Sequence, residues 1–230
     1  MLNIPEYKEY GGETQIALMD NSSLAFMHEL SQRSYPSDGI LSVYDLILIP
    51  KWVMEEIEDS TYRSTYVEQL QAKGYPIRWI DETKYGAFVN DEDVNLYYIV
   101  EAAVSRVSEL MRFLRRKVKT EDLIDLPSAE EWMNLSTGRT LKKNAGEISL
   151  TILAEIFAWY HDGVDSLTIY TQDTDAHEFQ TNAERILTGN SEFTPALDSP
   201  ISVAFKSNDF ILCQMYREGA LTLDEVRQLR

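Results

Sequence analysis

Five short apolar runs, TQIALM, LILIP, PIRWI, SLTIYT and ISVAF, constrain this chain more than any other feature. TQIALM and LILIP have the length and near-continuous apolar character of strands buried in a parallel sheet. The stretches between the runs carry helical periodicity. SSLAFMHELSQR places Leu24, Met27 and Leu30 on one side, and PKWVMEEIED begins a helix with Pro50 suited to its first turn. In NAGEISLTILAEIFAWYHDG, Asn144 and Glu147 have the spacing of a capping box and Gly163 supplies the stop. TDAHEFQTNAERILTG reads as the next helix, and SNDFILCQMYREG and TLDEVRQLR close the chain on either side of Gly219. Strands alternating with helices predict an α/β fold, a central parallel sheet with helices on both faces. A length of 230 residues suits one domain over 1–230.

The middle of the chain differs. From Asp93 to about Lys119, Val100, Val104, Val107, Met111, Leu114 and Val118 recur at three- and four-residue steps, which predicts one long amphipathic helix. SAEEWMNL then reads as a short helix and STGRTLKKN as an exposed basic loop. Disorder is expected only in the first dozen residues, where MLNIPEYKEYGGE is polar and turn-rich.

Several function classes are set aside by what the sequence lacks. The N-terminus has no basic start with an apolar run behind it, and no apolar stretch approaches the roughly 20 residues that span a bilayer. The single cysteine, Cys213, cannot pair within the chain; its apolar setting FILCQMY suggests a buried, inert thiol. Together these point to a reducing cytoplasm. Neither G-x-x-x-x-G-K-[ST] nor G-x-G-x-x-G occurs, so a nucleotide-driven enzyme has no support. His28, His161 and His177 do not form a ligand set; His161 falls near a helix C-terminus, where the dipole favours a cation.

A net charge of −17 opposes unaided binding to a polyanion. The imbalance is uneven. Between Arg106 and Lys143 nine basic residues face six acidic ones, a surplus of three, so the rest of the chain carries about −20. Arg112, Arg116 and Lys119 fit the solvated face of a helix. Arg139, Lys142 and Lys143 immediately precede Glu147, and from there they could hold phosphates of a nucleic acid.

Candidate chemistry rests on carboxylates. In parallel sheets, functional residues gather beyond the carboxyl ends of the strands. Asp20 follows TQIALM and Asp173 follows SLTIYT; Asp175 lies two residues on, Glu147 opens a helix, and Glu56 lies in the helix after LILIP. Taken singly, each has an ordinary explanation. Asp20, Glu147, Asp173 and Asp175 could cap helices, and Glu56 belongs to an acid-rich face with Glu55, Glu58 and Asp59. Ser22 or Ser23 could hold a phosphate or simply favour a turn.

In their order, IALMDNSSL, LILIPKWVMEEIE, NAGEISLTILAEI and LTIYTQDTDAHEF resemble the PIN-domain nucleases, and the closing DFILCQMYREGALTLDEVRQL resembles that family's C-terminal helices. The resemblance covers roughly residues 14–80 and 144–230 and leaves 92–143 as a helical insertion in a PIN-like fold. It implies a catalytic set of Asp20, Glu56, Glu147 and Asp173, with Asp20, Glu147, Asp173 and Asp175 as metal ligands. Spacing from Pro50 favours Glu56 over the adjacent Glu55. Ser22, Arg139, Lys142 and Lys143 would bind substrate. Carboxylate and water oxygens suit Mg²⁺ or Mn²⁺, which activate water and stabilise a leaving oxygen in phosphodiester hydrolysis. The resemblance further implies an endoribonuclease acting on RNA, the toxin of a toxin–antitoxin pair with an antitoxin protein as partner, and a homodimer. The competing reading is a catalytically silent PIN-like module that binds protein or RNA. A phosphohydrolase with an aspartyl nucleophile normally carries D-x-D after the first strand, whereas Asp20 is followed by Asn21 and Ser22.

Overall fold

All five residues of Leu46–Pro50 are buried, as are the last four of Gln15–Met19 and of Ser166–Tyr170. Strands covered on both sides belong at the centre of a parallel sheet. The computed structural model describes residues 3–89, 93–121 and 144–230. It contains five strands, β1 (Gln15–Met19), β2 (Leu46–Pro50), β3 (Ile77–Ile80), β4 (Ser166–Tyr170) and β5 (Val203–Lys206). All pair in parallel, in the order β3-β2-β1-β4-β5. The α/β class and the parallel sheet are therefore as the apolar runs predict.

The helices are α1 (Asn21–Gln32), α2 (Lys51–Glu58), α3 (Thr61–Ala72), α4 (Asp93–Val104), α5 (Ser108–Glu121), α6 (Ala145–Tyr160), α7 (Thr174–Thr188), α8 (Asn208–Arg217) and α9 (Leu223–Leu229). Among them α1 packs on α3, and α6 packs on α4 and α7. The chain steps outward from β1 through β2 to β3, then returns to β4 on the far side of β1. With right-handed crossovers, that reversal puts the two helix groups on opposite faces of the sheet. It also opens a crevice between the carboxyl ends of β1 and β4, the place where ligands bind in such sheets. No helix of the described residues is long and apolar enough to cross a membrane.

Buried carboxyls tie the layers together. Pro50 is the last residue of β2 and the N-cap of α2 rather than a member of its first turn, and it offers no side-chain cap. Glu82, in the 3-10 turn after β3, supplies one instead: its Oε1 accepts from Trp52 N at 3.0 Å and from Ser149 Oγ of α6 at 2.8 Å. Burial pushes the Glu82 carboxyl up to about 7. Glu155 lies within α6 with no exposed surface; it accepts from Trp159 Nε1 at 2.8 Å and from Gln180 Nε2 of α7 at 2.7 Å. Burial raises it to about 8.

Four further expectations are corrected. The long helix from Asp93 is two helices, broken at Ser105–Val107. Ser105 Oγ bonds Ala102 O and accepts from Asn182 Nδ2, while Arg106 pairs with Glu178 and lies over the Phe179 ring. Contacts with α7 thus redirect a chain whose periodicity runs on. Second, the N-terminal segment packs: Tyr7 N donates to Trp79 O at 2.7 Å, Trp79 N donates to Pro5 O at 3.1 Å, and Ile4 and Tyr7 are buried. It covers the open edge of β3, whose unpaired backbone groups would otherwise face water.

Third, Cys213 is exposed. Ile211, Leu212 and Met215 take the inward face of α8, and 3.6 residues per turn carries position 213 away from it. Fourth, His161 is the C-cap of α6, but its setting disfavours a cation. It is boxed by the rings of Tyr10 and Phe157, and burial lowers its pKa. The proposed insertion, 92–143, is described only over 93–121. There α4 contributes Leu96, Ile99 and Val100 to the common core. SAEEWMNL and STGRTLKKN lie outside the described residues.

Candidate functional site

The crevice between β1 and β4 is furnished by the residues that leave those strands. Asp20 follows β1 directly, its N–H donating to Tyr170 O of β4 at 3.0 Å. As the N-cap of α1, it accepts from Ser22 N. The same oxygen, Oδ2, also accepts from Ser22 Oγ and, at 3.1 Å, from Thr171 Oγ1. Oδ1 makes no described hydrogen bond and lies toward α6: a Cβ on Gly146 would come within 3.8 Å of it. Thr171 Oγ1 in turn accepts from Asp173 N at 3.0 Å, and Ser22 Oγ accepts from Gln172 N at 3.1 Å. One short network of hydroxyls therefore fixes both acidic loops.

Asp173 is the N-cap of α7 and accepts from Asp175 N at 2.9 Å. The capping interpretation is thus correct for Asp20 and Asp173, and it does not conflict with a site. Glu147 is different. Asn144 makes no side-chain cap bond, so the capping box expected with Glu147 does not form. Burial drives the Glu147 pKa up to about 8, aided by the charge of Asp20 and by a hydrogen bond with Asp173. Asp20, Glu147 and Asp173 are brought together here from three separate segments.

The other expected residues stand differently. Asp175 is half-buried, and none of the described interactions joins its carboxylate to these three acids. Glu56 is exposed at the margin of the site, where its Oε2 accepts from Asn21 Nδ2 at 3.2 Å. Glu55 turns to the other side of α2, its carboxyl raised by burial and influenced by Lys51 and Asp81. The Ser22 hydroxyl donates its proton to Asp20. Arg139, Lys142 and Lys143 lie outside the described residues.

Arg63 is the residue that the motifs did not reveal. It is half-buried at the start of α3, and its Nη1 donates to Asn21 Oδ1 at 2.7 Å. Asn21 therefore bridges Arg63 and Glu56 beside Asp20. A signal did exist. Arg63, Val67 and Leu70 recur at four- and three-residue steps, placing a cation on an otherwise inward stripe.

All candidate donors in the crevice are carboxylate oxygens, with hydroxyls behind them. Among the described residues no three His, Cys, Asp or Glu side chains are grouped, as they stand, to hold a metal ion. Oxygen donors of this kind suit a hard cation, and burial favours the protonated form of Glu147. Compared with protein-family models, with curated proteins and with solved structures, the chain matches none.

Proposed function

We propose that the chain is a metal-dependent nuclease of the PIN type, hydrolysing RNA phosphodiester bonds at Asp20, Glu147 and Asp173. The observation that supports this is the raised Glu147 carboxyl, pressed against Asp173 and near Asp20 beyond the ends of β1 and β4. Three acids from distant segments repel one another unless protons or cations share the space. The capping box with Asn144 does not form, and the Glu147 carboxyl lies by Asp20 and Asp173 as well as by its own backbone N–H. Mg²⁺ or Mn²⁺ bound by these oxygens would lower the pKa of an attacking water and neutralise charge on the phosphate.

The residues of the chain supply the rest. Ser22 and Thr171 orient Asp20, the backbone N–H of Asp175 orients Asp173, and burial holds Glu147 ready to exchange its proton. Glu56, tethered through Asn21, would position metal-bound water at the rim. The roles proposed for Asp175 as a further ligand and for a basic antitoxin segment rest on the family resemblance. A surface of net charge −17 suits such a partner.

The test is cleavage of single-stranded RNA by the full chain with Mn²⁺, with EDTA, and by Asp20→Asn and Asp173→Asn. Cleavage that needs the metal and disappears in both variants supports the proposal. Equal cleavage by the variants refutes the site. Absence of cleavage together with absence of Mn²⁺ binding favours the silent interaction module instead.

A further inference from the structure

Between α1 and α3 runs a groove of about 500 Å³ whose composition is unlike the rest of the molecule. Of 230 residues 38 are Asp or Glu, yet none of the residues lining this groove is an acid. Its floor and walls hold His28, Ser31, Gln32, Tyr62, Tyr66 and Gln69. Tyr62 is 74% exposed, so its ring face is open to solvent. The His28 ring stacks on buried Tyr66, with centroids 5.1 Å apart and planes 29° apart, and its Nε2 is 3.1 Å from the Gln32 amide nitrogen.

The groove and the acidic site share the helices α1 and α3. Arg63, next to Tyr62, bonds Asn21, and Asn21 follows Asp20. His28 lies two turns further along α1, roughly 10 Å from Asn21 at 1.5 Å per residue.

We propose that this groove is a track for single-stranded RNA. The bases stack on Tyr62 and His28 and bond to Ser31, Gln32 and Gln69, while Arg63 receives the phosphate that leads to Asp20. Its occupant rests on the nuclease reading. The chemistry of the groove favours bases over phosphates or charged peptide. Aromatic faces stack any base, and neutral amides and hydroxyls reach base edges exposed only in a single strand. An acidic protein also gains from holding RNA chiefly by its bases, because its surface repels the backbone. Binding should accordingly depend weakly on salt, with a slope near that of one phosphate contact, about −0.7 in log K against log salt.

Fluorescence anisotropy of a labelled single-stranded adenosine oligomer, with the full chain in EDTA, tests this directly. Wild type should bind the single strand and bind its duplex form more weakly. Tyr62→Ala and His28→Ala should each weaken single-strand binding about tenfold. The track is overturned if wild type binds no single strand, or if both variants bind as wild type does. Cleavage measured in parallel with Mn²⁺ separates the two ideas. RNA cut with the same KM by wild type and both variants removes the track and keeps the nuclease. Binding lost in the variants, with no cutting by wild type, keeps the track and removes the nuclease.

Discussion

The carboxyl of Glu147, in the first turn of α6, faces the charge of Asp173, the N-cap of α7. Burial, with the charges of Asp20 and Asp173 beside it, favours the protonated form of Glu147. Together they raise its carboxyl to about 8.

Divalent-metal binding should therefore be linked to proton release. Below about pH 8 a cation must displace the Glu147 proton, so Mn²⁺ affinity should rise about tenfold per pH unit and level off above that value. Calorimetry at pH 6.5 and pH 8.5 in buffers of different ionisation enthalpy should show about one proton released at the lower pH. Affinity that does not change with pH would remove Glu147 from the metal site.

Asp20→Asn and Asp173→Asn isolate charge from capping. Asparagine caps a helix about as well as aspartate, so each variant should melt within about 1 kcal/mol of wild type. Each should nevertheless lose at least about 100-fold in Mn²⁺-dependent cleavage. Loss of activity accompanied by an equally large loss of stability would mark these residues as structural.

Glu82 and Glu155 make stability depend on pH in an unusual direction. Their folded pKa values, about 7 and about 8, lie above the ordinary value of roughly 4.3. Between those limits the native chain holds more protons than the unfolded chain, so unfolding free energy falls as pH rises. Each retained proton contributes a slope of up to about 1.4 kcal/mol per pH unit, absent below the unfolded pKa and gone above the folded one. Urea melts in EDTA from pH 4.5 to 8.5 should show this decline, and Glu155→Gln should reduce it above pH 7, where Glu147, also raised to about 8, contributes the remainder. A wild-type curve that rises with pH across the window would refute the assignment.

Cys213 should react with a thiol reagent in the native protein at a rate close to that of the unfolded chain, because it is exposed on α8. A thiol that reacts only after denaturant is added would show instead that the position is covered, as it would be in a homodimer using that face.

The strands were legible because burial on both sides leaves an unambiguous trace. LILIP is β2 residue for residue, and the runs around Asp20 and Asp173 end where β1 and β4 end within a residue or two. Helix α3 was not recognised: TYRSTYVEQLQA shows only Tyr66, Val67 and Leu70 inward, a thin apolar stripe within a polar segment. With α3 went Arg63 and the groove beside α1. The break at Ser105–Val107 was equally hidden, since Asn182 and Glu178, whose contacts bend the chain there, are remote in sequence.

What the amino-acid order alone determined is local. Apolar runs of strand length, an acid after β1, another after β4 and the alternation with helices together dictate a parallel sheet with carboxylates beyond its strand ends. Which acids meet was decided only by the tertiary structure. Asp20 and Asp173 look like helix caps in sequence, and they are caps. Glu147 looks like half of a capping box that does not form, and the packing of α6 against the β1–β4 crevice sets its carboxyl beside half-buried Asp173. Proximity across the turning point of the strand order is a property of the assembled sheet, and spacing along the chain carries no record of it.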